Sequence, residues 1–105
     1  MNITVTPALH RKNSRPPESD LGFGTYFTDH MFLMDFSRDK GWHHARIEPY
    51  GPLSLDPAAQ VLHYNQEVFE GTKAYLQPDG GIALFRPDKN IERMNTSAVR
   101  LAMPT

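Results

Sequence analysis

Residues that favour turns divide this chain into short segments, and this limits the folds that it can adopt. Proline, glycine and aspartate interrupt the chain at residues 49–52, 56–57 and 78–81, where they end helices and favour turns. The turn sequence Pro-Asp-Gly-Gly at residues 78–81 lies between two segments that can form strands. This pattern predicts a β-hairpin made of residues 72–76 and 82–85.

A second hairpin is predicted earlier in the chain. Residues 28–36 form a bounded and largely apolar run, which is too short for a convincing helix and favours a buried strand. Asp-Lys-Gly at residues 39–41 is a turn sequence, in which Gly41 tolerates a positive φ. A second strand is expected from residue 42 to about residue 49.

Short helical turns are predicted in the middle of the chain, and one longer helix at its end. We expect a turn of helix at residues 56–60 with Asp56 as N-cap, a short strand at residues 61–64, and another helical turn at residues 65–70 closed by Gly71. The terminal helix should begin at Pro87 and end before Pro104. Its apolar stripe is formed by five residues: Ile91, Met94, Ala98, Leu101 and Ala102. The fold class expected is α+β with a mainly antiparallel sheet.

The beginning of the chain differs from the rest in composition. Residues 7–20 are polar, with adjacent prolines at 16–17 and basic side chains at 10–12 and 15. Because such a stretch buries little apolar surface, it cannot offset the entropy cost of ordering. We therefore expect a flexible arm at residues 1–20 and one small domain at residues 21–105.

Composition excludes several classes of protein. The 105 residues carry eleven basic and twelve acidic side chains, a net charge of -1, which gives no basic surface for nucleic acid or anionic membranes. The chain has no cysteine, so it forms neither disulfides nor thiolate metal sites. It has no apolar run of the roughly 20 residues that a membrane-spanning helix needs and no secretory signal pattern. A soluble, cytoplasmic protein is expected.

Several motifs occur in an order that identifies a family. They are Phe-Gly-Thr-Tyr-Phe-Thr-Asp-His-Met at residues 23–31, Gly-Trp at 41–42, Ala-Arg-Ile at 45–47, Leu-His-Tyr-Asn-Gln-Glu-Val-Phe-Glu-Gly-Thr-Lys-Ala-Tyr at 62–75, Leu-Phe-Arg-Pro at 84–87 and Asn-Ile-Glu-Arg-Met at 90–94. The series resembles the opening of branched-chain amino-acid aminotransferases, which are fold-type-IV enzymes that use pyridoxal phosphate. The resemblance covers residues 21–104 and implies that this chain is their small N-terminal domain.

The resemblance also implies an activity. Enzymes of this family move the amino group between leucine, isoleucine or valine and 2-oxoglutarate, and they work as homodimers. Their Schiff-base lysine belongs to a second domain, which would lie beyond residue 105, so the present chain is expected to be inactive alone. Its partners would be small-molecule substrates, with neither nucleic acid nor membrane involved.

Four residues match family positions that bind the cofactor or the substrate. Arg93 matches the arginine that binds the cofactor phosphate, a role that suits the planar, always charged guanidinium. Phe23, Tyr64 and Phe69 match positions that line the pocket for the substrate side chain, and rigid aromatic rings suit a branched aliphatic group. The alternative for Arg93 is a weak surface ion pair with Asp88 or Glu92. The alternative for the three aromatic residues is ordinary core packing.

Two other kinds of site are not favoured by the sequence. Lys73 lies in a family motif, but it is expected to be a strand residue with its ammonium group in water, so we assign no catalytic residue. His43 and His44 should point to opposite faces of a strand, and the other histidines are scattered. We therefore expect no metal site.

Three functional alternatives remain open at this stage. The first is the aminotransferase fragment described above. The second is another fold-type-IV enzyme, either a D-amino-acid aminotransferase or an aminodeoxychorismate lyase. The third is a module without enzymatic activity that uses the small domain for binding or assembly.

Overall fold

A computed structural model describes residues 2–9 and 16–105 of the chain. The chain is divided into two compact units, Met1–Ser54 and Leu55–Thr105. The elements, in chain order, are β1 (Thr4–Val5), a 3₁₀ helix (Glu18–Asp20), β2 (His30–Ser37), β3 (Gly41–Pro49), α1 (Gln60–Tyr64), β4 (Ala74–Leu76), β5 (Ile82–Leu84) and α2 (Pro87–Arg100). Because most strand pairs are antiparallel and a helix follows the strands, the predicted α+β class is confirmed.

The first unit is built on the predicted hairpin of β2 and β3. These strands pair antiparallel from His30 opposite Pro49 to Ser37 opposite Gly41. Gly41 has a φ of +64°, a conformation that glycine adopts without steric cost. The predicted turn at residues 39–41 therefore forms as expected.

A β-bulge interrupts β3. Leu33 pairs with Arg46, but the next pair joins Asp35 to His43, so β3 has one residue more than β2 in this interval. His44 is the extra residue, and its φ is +53°. Such a local change of backbone conformation is typical of a β-bulge. The strict alternation that placed His43 and His44 on opposite faces is therefore broken at this point.

The start of the chain also takes part in the first sheet. β1 pairs parallel with β3, and the Ala8 N–H donates to Nε2 of His30 at 2.9 Å. Thr4–Val5 thus forms a strand within the segment that the sequence assigned to a flexible arm. The basic residues at 10–12 and 15 lie outside the described residues, and the boundary at residue 20 stays a prediction.

The first element of the second unit differs from the prediction. Residues 61–64 form helix α1 instead of a strand, and residues 56–59 form a turn in which Asp56 Oδ1 accepts from the Ala58 N–H at 2.7 Å. A nitrogen of the His63 ring lies 2.7 Å from the Pro57 carbonyl oxygen. This contact joins residues six positions apart. It stabilises the helical turn relative to the strand that the sequence predicted at residues 61–64.

The predicted helical turn at residues 65–70 is also wrong, because this segment has no regular structure. The left-handed residue that ends α1 is Asn65, with a φ of +51°, and Gly71 has no positive φ. Asparagine tolerates this conformation better than other residues with a side chain. The left-handed residue therefore lies six residues earlier than predicted, at Asn65 instead of Gly71.

The second hairpin and the terminal helix agree with the sequence. β4 and β5 pair antiparallel from Ala74 opposite Leu84 to Leu76 opposite Ile82, and Gly80 has a φ of +83° in the turn. Helix α2 begins at Pro87 as expected. It ends before Pro104, in a pair of hydrogen bonds from Ala102 N–H to Val99 O and from Met103 N–H to Ala98 O, which is the Schellman arrangement.

Few side chains are buried within either unit. Among the described residues, the buried hydrophobic side chains are those of Ala45 and Ala98. The predicted apolar stripe of α2 is therefore mostly exposed, and large apolar side chains lie on the surface of both units. No helix in the described ranges has the length and apolar character that crossing a bilayer requires.

Candidate functional site: the Glu70–Arg93 cluster

Helix α2 and the segment before β4 bring a carboxylate and a guanidinium together. Asn90 and Arg93 are three residues apart on α2, so their side chains lie on neighbouring positions of one helix face. Arg93 Nε donates to Glu70 Oε2 at 2.6 Å, and Arg93 Nη2 donates to Glu70 Oε1. The two side chains therefore form a bidentate ion pair between positions 23 residues apart.

Glu70 is held by further donors. The Gly71 N–H and Asn90 Nδ2 each donate to Glu70 Oε1 at 3.0 Å, and Asn90 Nδ2 also donates to the Gly71 carbonyl at 2.9 Å. The hydrogen bond from Arg93, followed by that from Asn90, lowers the pKa of Glu70 from 4.5 to about 2. The pair with Glu70 raises the pKa of Arg93. Both groups are therefore charged at neutral pH.

The two partners of this ion pair differ in exposure. The Glu70 side chain is 8% exposed, whereas that of Arg93 is 69% exposed. A guanidinium has five N–H donors, and the pair with Glu70 uses two of them. Among the described residues, no side chain accepts from the remaining three. Arg93 can therefore contribute one bidentate contact to a phosphate group.

The three aromatic residues assigned to a substrate pocket are all on the surface. Phe23 is 97%, Tyr64 78% and Phe69 87% exposed, so none of them packs in a core of this chain. Phe69 directly precedes Glu70, and its ring would lie 3.8 Å from a Cβ atom placed on Gly71. The structure thus brings Phe69 next to the Glu70–Arg93 cluster. Phe23 belongs to the first unit, and Tyr64 is the last residue of α1.

One hydrogen bond connects the end of α1 with the end of α2. Gln66 Nε2 donates to the Leu101 carbonyl at 2.8 Å. Gln66 follows Tyr64 by two residues, and Leu101 is the C-cap residue of α2, whose carbonyl lacks an intrahelical donor. The segment that leads from Tyr64 to Glu70 is therefore attached to α2 at both ends.

Comparison with known proteins assigns the chain to a family. No family model matches it. Branched-chain-amino-acid transaminase 1 of Bacillus subtilis (strain 168) is 59% identical over 90 residues, which cover 86% of this chain and 25% of that protein. Branched-chain-amino-acid aminotransferase of Mycobacterium tuberculosis (strain CDC 1551 / Oshkosh) is 51% identical over 107 residues, which cover 99% of this chain and 29% of that protein. The chain belongs to the branched-chain amino-acid aminotransferase family.

The chain spans about a quarter of the length of the curated relatives that it matches. A second Bacillus subtilis relative, branched-chain-amino-acid aminotransferase 2, is 57% identical over 93 residues, 89% of this chain and 26% of that protein. The resemblance inferred from the ordered motifs is therefore confirmed.

Two residues of the cluster were not predicted from the sequence. Neither Glu70 nor Asn90 received a role, although both belong to the motifs that carried the resemblance. The suggested ion-pair partners of Arg93 were Asp88 and Glu92, and this was wrong because Glu92 pairs with Lys89 and Arg93 pairs with Glu70. The spacing of charged residues along one helix does not indicate an ion-pair partner on another segment.

Other candidate features of the chain do not involve the predicted site residues. A shallow concavity on the β4–β5 hairpin is lined by five residues: Tyr75, Gln77, Ala83, Leu84 and Phe85. None of the predicted site residues is among them. Lys73 directly precedes β4, and its ammonium lies 5.2 Å from the centre of the Tyr75 ring. Within the part of the chain that the structure describes, no cluster of three or more histidine, aspartate or glutamate residues could hold a metal ion.

Proposed function

We propose that this chain is part of an aminotransferase that moves the amino group between branched-chain L-amino acids (leucine, isoleucine and valine) and 2-oxoglutarate. Its support is the identity of 59% and 57% to two Bacillus subtilis proteins whose names state a branched-chain amino-acid transaminase or aminotransferase. The names of these relatives favour this reading over a D-amino-acid aminotransferase, an aminodeoxychorismate lyase or a binding module.

The cofactor of the proposed reaction is pyridoxal phosphate, and Arg93 is the residue of this chain that would bind its phosphate group. When bound, the cofactor supplies the carbonyl group that accepts the amino group and a ring that withdraws electrons from the α-carbon of the substrate. The observation that carries this assignment is the exposed edge of a guanidinium whose other edge is fixed by Glu70. Arginine matches phosphate oxygens two at a time.

The proposed role of Phe23, Tyr64 and Phe69 is to line the pocket for the substrate side chain. All three rings are exposed in this chain, so they are free to contact a ligand or another part of a longer protein. An apolar wall distinguishes substrates by only about 1–3 kcal/mol per methylene group. Leucine, isoleucine and valine should therefore all be accepted.

Catalysis needs groups that this chain does not provide. In the proposal, the Schiff-base lysine belongs to sequence outside these 105 residues, and the complete enzyme is a cytoplasmic homodimer. Lys73, the candidate within the family motif, has its ammonium 5.2 Å from the centre of the Tyr75 ring. The chain alone should therefore form no glutamate from L-leucine and 2-oxoglutarate beyond the background of free cofactor.

A chimeric protein tests the proposed function. Residues 1–105 would replace the homologous segment of Bacillus subtilis transaminase 1, which is 59% identical over 90 residues. We expect glutamate formation from L-leucine, L-isoleucine and L-valine, no turnover of D-alanine, and a large loss of cofactor affinity with Arg93→Ala. A chimera that folds and binds the cofactor but does not use L-leucine would contradict the proposal, as would turnover of D-alanine.

A further inference from the structure

Glu70 contacts only one edge of the Arg93 guanidinium. The Nε–H and one Nη2–H point in the same direction within the guanidinium plane, and both donate to the Glu70 carboxylate. The neighbouring edge is formed by one N–H of Nη1 and the second N–H of Nη2, which are also parallel. This second edge keeps the geometry that matches two phosphate oxygens.

The carboxylate that holds Arg93 is itself held by two further donors. Asn90 Nδ2 and the Gly71 N–H both donate to Glu70 Oε1 at 3.0 Å, and the Glu70 side chain is nearly buried. Asn90 also bonds the Gly71 carbonyl, so α2 and the segment at Glu70 are joined by a closed set of contacts. The position of the carboxylate therefore does not depend on Arg93 alone.

Arg93 would otherwise be a mobile side chain. An arginine with most of its surface in water populates many rotamers, and a ligand that binds it must first restrict them. The pair with Glu70 restricts these rotamers before any ligand arrives. The entropy cost of binding at the second edge is then smaller.

We propose that Glu70 is a positioning residue, which together with Asn90 presents the Nη1–Nη2 edge of Arg93 to the phosphate group of a ligand. This inference rests on the proposed function, in which that ligand is pyridoxal phosphate. Glu70 contacts neither the phosphate nor the reacting atoms in this arrangement. It acts only through the guanidinium.

The negative charge of Glu70 opposes the binding of an anion, so two effects compete. The carboxylate lies on the other edge of the guanidinium, its charge is compensated there by Arg93 and by two neutral N–H donors, and the exposed edge faces water, which screens the repulsion. Orientation should therefore outweigh repulsion. Removal of the Glu70 charge lowers the affinity for phosphate if orientation of Arg93 is the larger effect, and raises it if repulsion is the larger effect.

The test is a titration of the 105-residue chain with pyridoxine 5′-phosphate, followed by ¹⁵N–¹H spectra of the arginine side chains. This probe lacks the aldehyde that would react with lysines, and a parallel titration with pyridoxine isolates the contribution of the phosphate group. We expect Glu70→Gln to weaken the phosphate-dependent affinity about tenfold. The matched control is Glu92→Gln, which removes one negative charge from the same helix, adjacent to Arg93, and should leave the affinity unchanged.

A second readout reports the orientation of Arg93 without any ligand. In the unchanged chain, the Nε–H of Arg93 should give a separate signal with slow exchange, and Glu70→Gln should move it towards the signals of freely exposed arginines. Should Glu70→Gln fail to fold by circular dichroism, Asn90→Ala provides the same test. It removes one donor to the carboxylate, so we expect a severalfold weaker affinity, and an unchanged affinity would refute the inference.

The possible outcomes separate this inference from the proposed function. Phosphate-dependent binding that disappears in Arg93→Ala but is equal or tighter in Glu70→Gln would overturn the positioning role and leave the function of Arg93 intact. Absence of phosphate-dependent binding in the unchanged chain would overturn the positioning role, whereas the proposed function is decided by the activity of the chimera. A weaker affinity in Glu70→Gln together with an unchanged affinity in Glu92→Gln supports both.

Discussion

Helix α2 carries two ion pairs that differ in almost every respect. Lys89 and Glu92 are three residues apart on one helix, and both side chains are at least half exposed. Glu70 and Arg93 are 23 residues apart, and the carboxylate is 8% exposed and accepts four hydrogen bonds. The first pair is local and solvated, whereas the second joins two segments of the fold.

This difference explains which pair can support a function. An exposed pair on one helix gains little because water screens it and both side chains lose rotamer entropy. A nearly buried carboxylate with several donors keeps its partner in one orientation, and it costs more to disrupt because the remaining groups lose their partners. The contrast between the two pairs can be measured by substitution.

The largest effect is expected for Glu70→Gln. The new amide presents an N–H₂ group where Arg93 needs acceptors, so at least one donor of Arg93 or Asn90 loses its partner. We expect the midpoint of thermal unfolding to fall by several degrees at pH 7, more than for any other substitution considered below. The same fall in Glu92→Gln would show that the two pairs do not differ.

The pH dependence of this effect follows from the pKa of Glu70. Because the pKa is lowered from 4.5 to about 2 in the folded chain, the carboxylate stabilises the fold fully above pH 4.5, and this contribution is lost as the pH falls towards about 2. The difference in unfolding midpoint between the unchanged chain and Glu70→Gln should therefore shrink over this range. A difference in unfolding midpoint that stays constant down to about pH 2 would contradict the lowered pKa of Glu70.

A smaller effect is expected for Asn90→Ala. This substitution removes the hydrogen bonds to Glu70 Oε1 and to the Gly71 carbonyl but leaves the ion pair in place. We expect the free energy of unfolding in urea to decrease by about 1–2 kcal/mol. Asn95→Ala, the same substitution at an exposed position of the same helix, is the control for the change in helix propensity.

The smallest effect is expected for the local pair. Lys89→Ala should change the free energy of unfolding by about 0.3–0.5 kcal/mol, and about 1 M salt should abolish the difference because the pair is exposed. Urea unfolding at low and high salt measures both quantities. A decrease of more than about 1 kcal/mol in the free energy of unfolding would mean that the Lys89–Glu92 pair stabilises the chain as much as the Glu70–Arg93 pair does.

The sequence predicted the elements whose signals are local. The turn residues at 39–41 and 78–81 correctly placed two hairpins, and Pro87 correctly marked the start of α2. In each of these cases a glycine or proline restricts or permits a backbone conformation by itself. No distant contact was needed to choose the structure.

The segment from residue 60 to residue 71 was predicted incorrectly, and its structure depends on distant contacts. The His63 ring bonds the Pro57 carbonyl, Gln66 bonds the end of α2, and Glu70 bonds Arg93 and Asn90. The order of apolar and polar residues within this segment does not indicate these hydrogen-bond partners. Tertiary contacts therefore overrode the local preference in this segment.

By itself, the sequence determined the α+β class, the two hairpins, the terminal helix and, through ordered motifs, the family of this chain. It also drew attention to Arg93 as the candidate ligand of a phosphate. Only the tertiary structure decided that Glu70 is the partner of Arg93 and that Asn90 supports it. The physical reason is that local preferences act through bonds to near neighbours, whereas a bidentate ion pair requires two segments to meet in space.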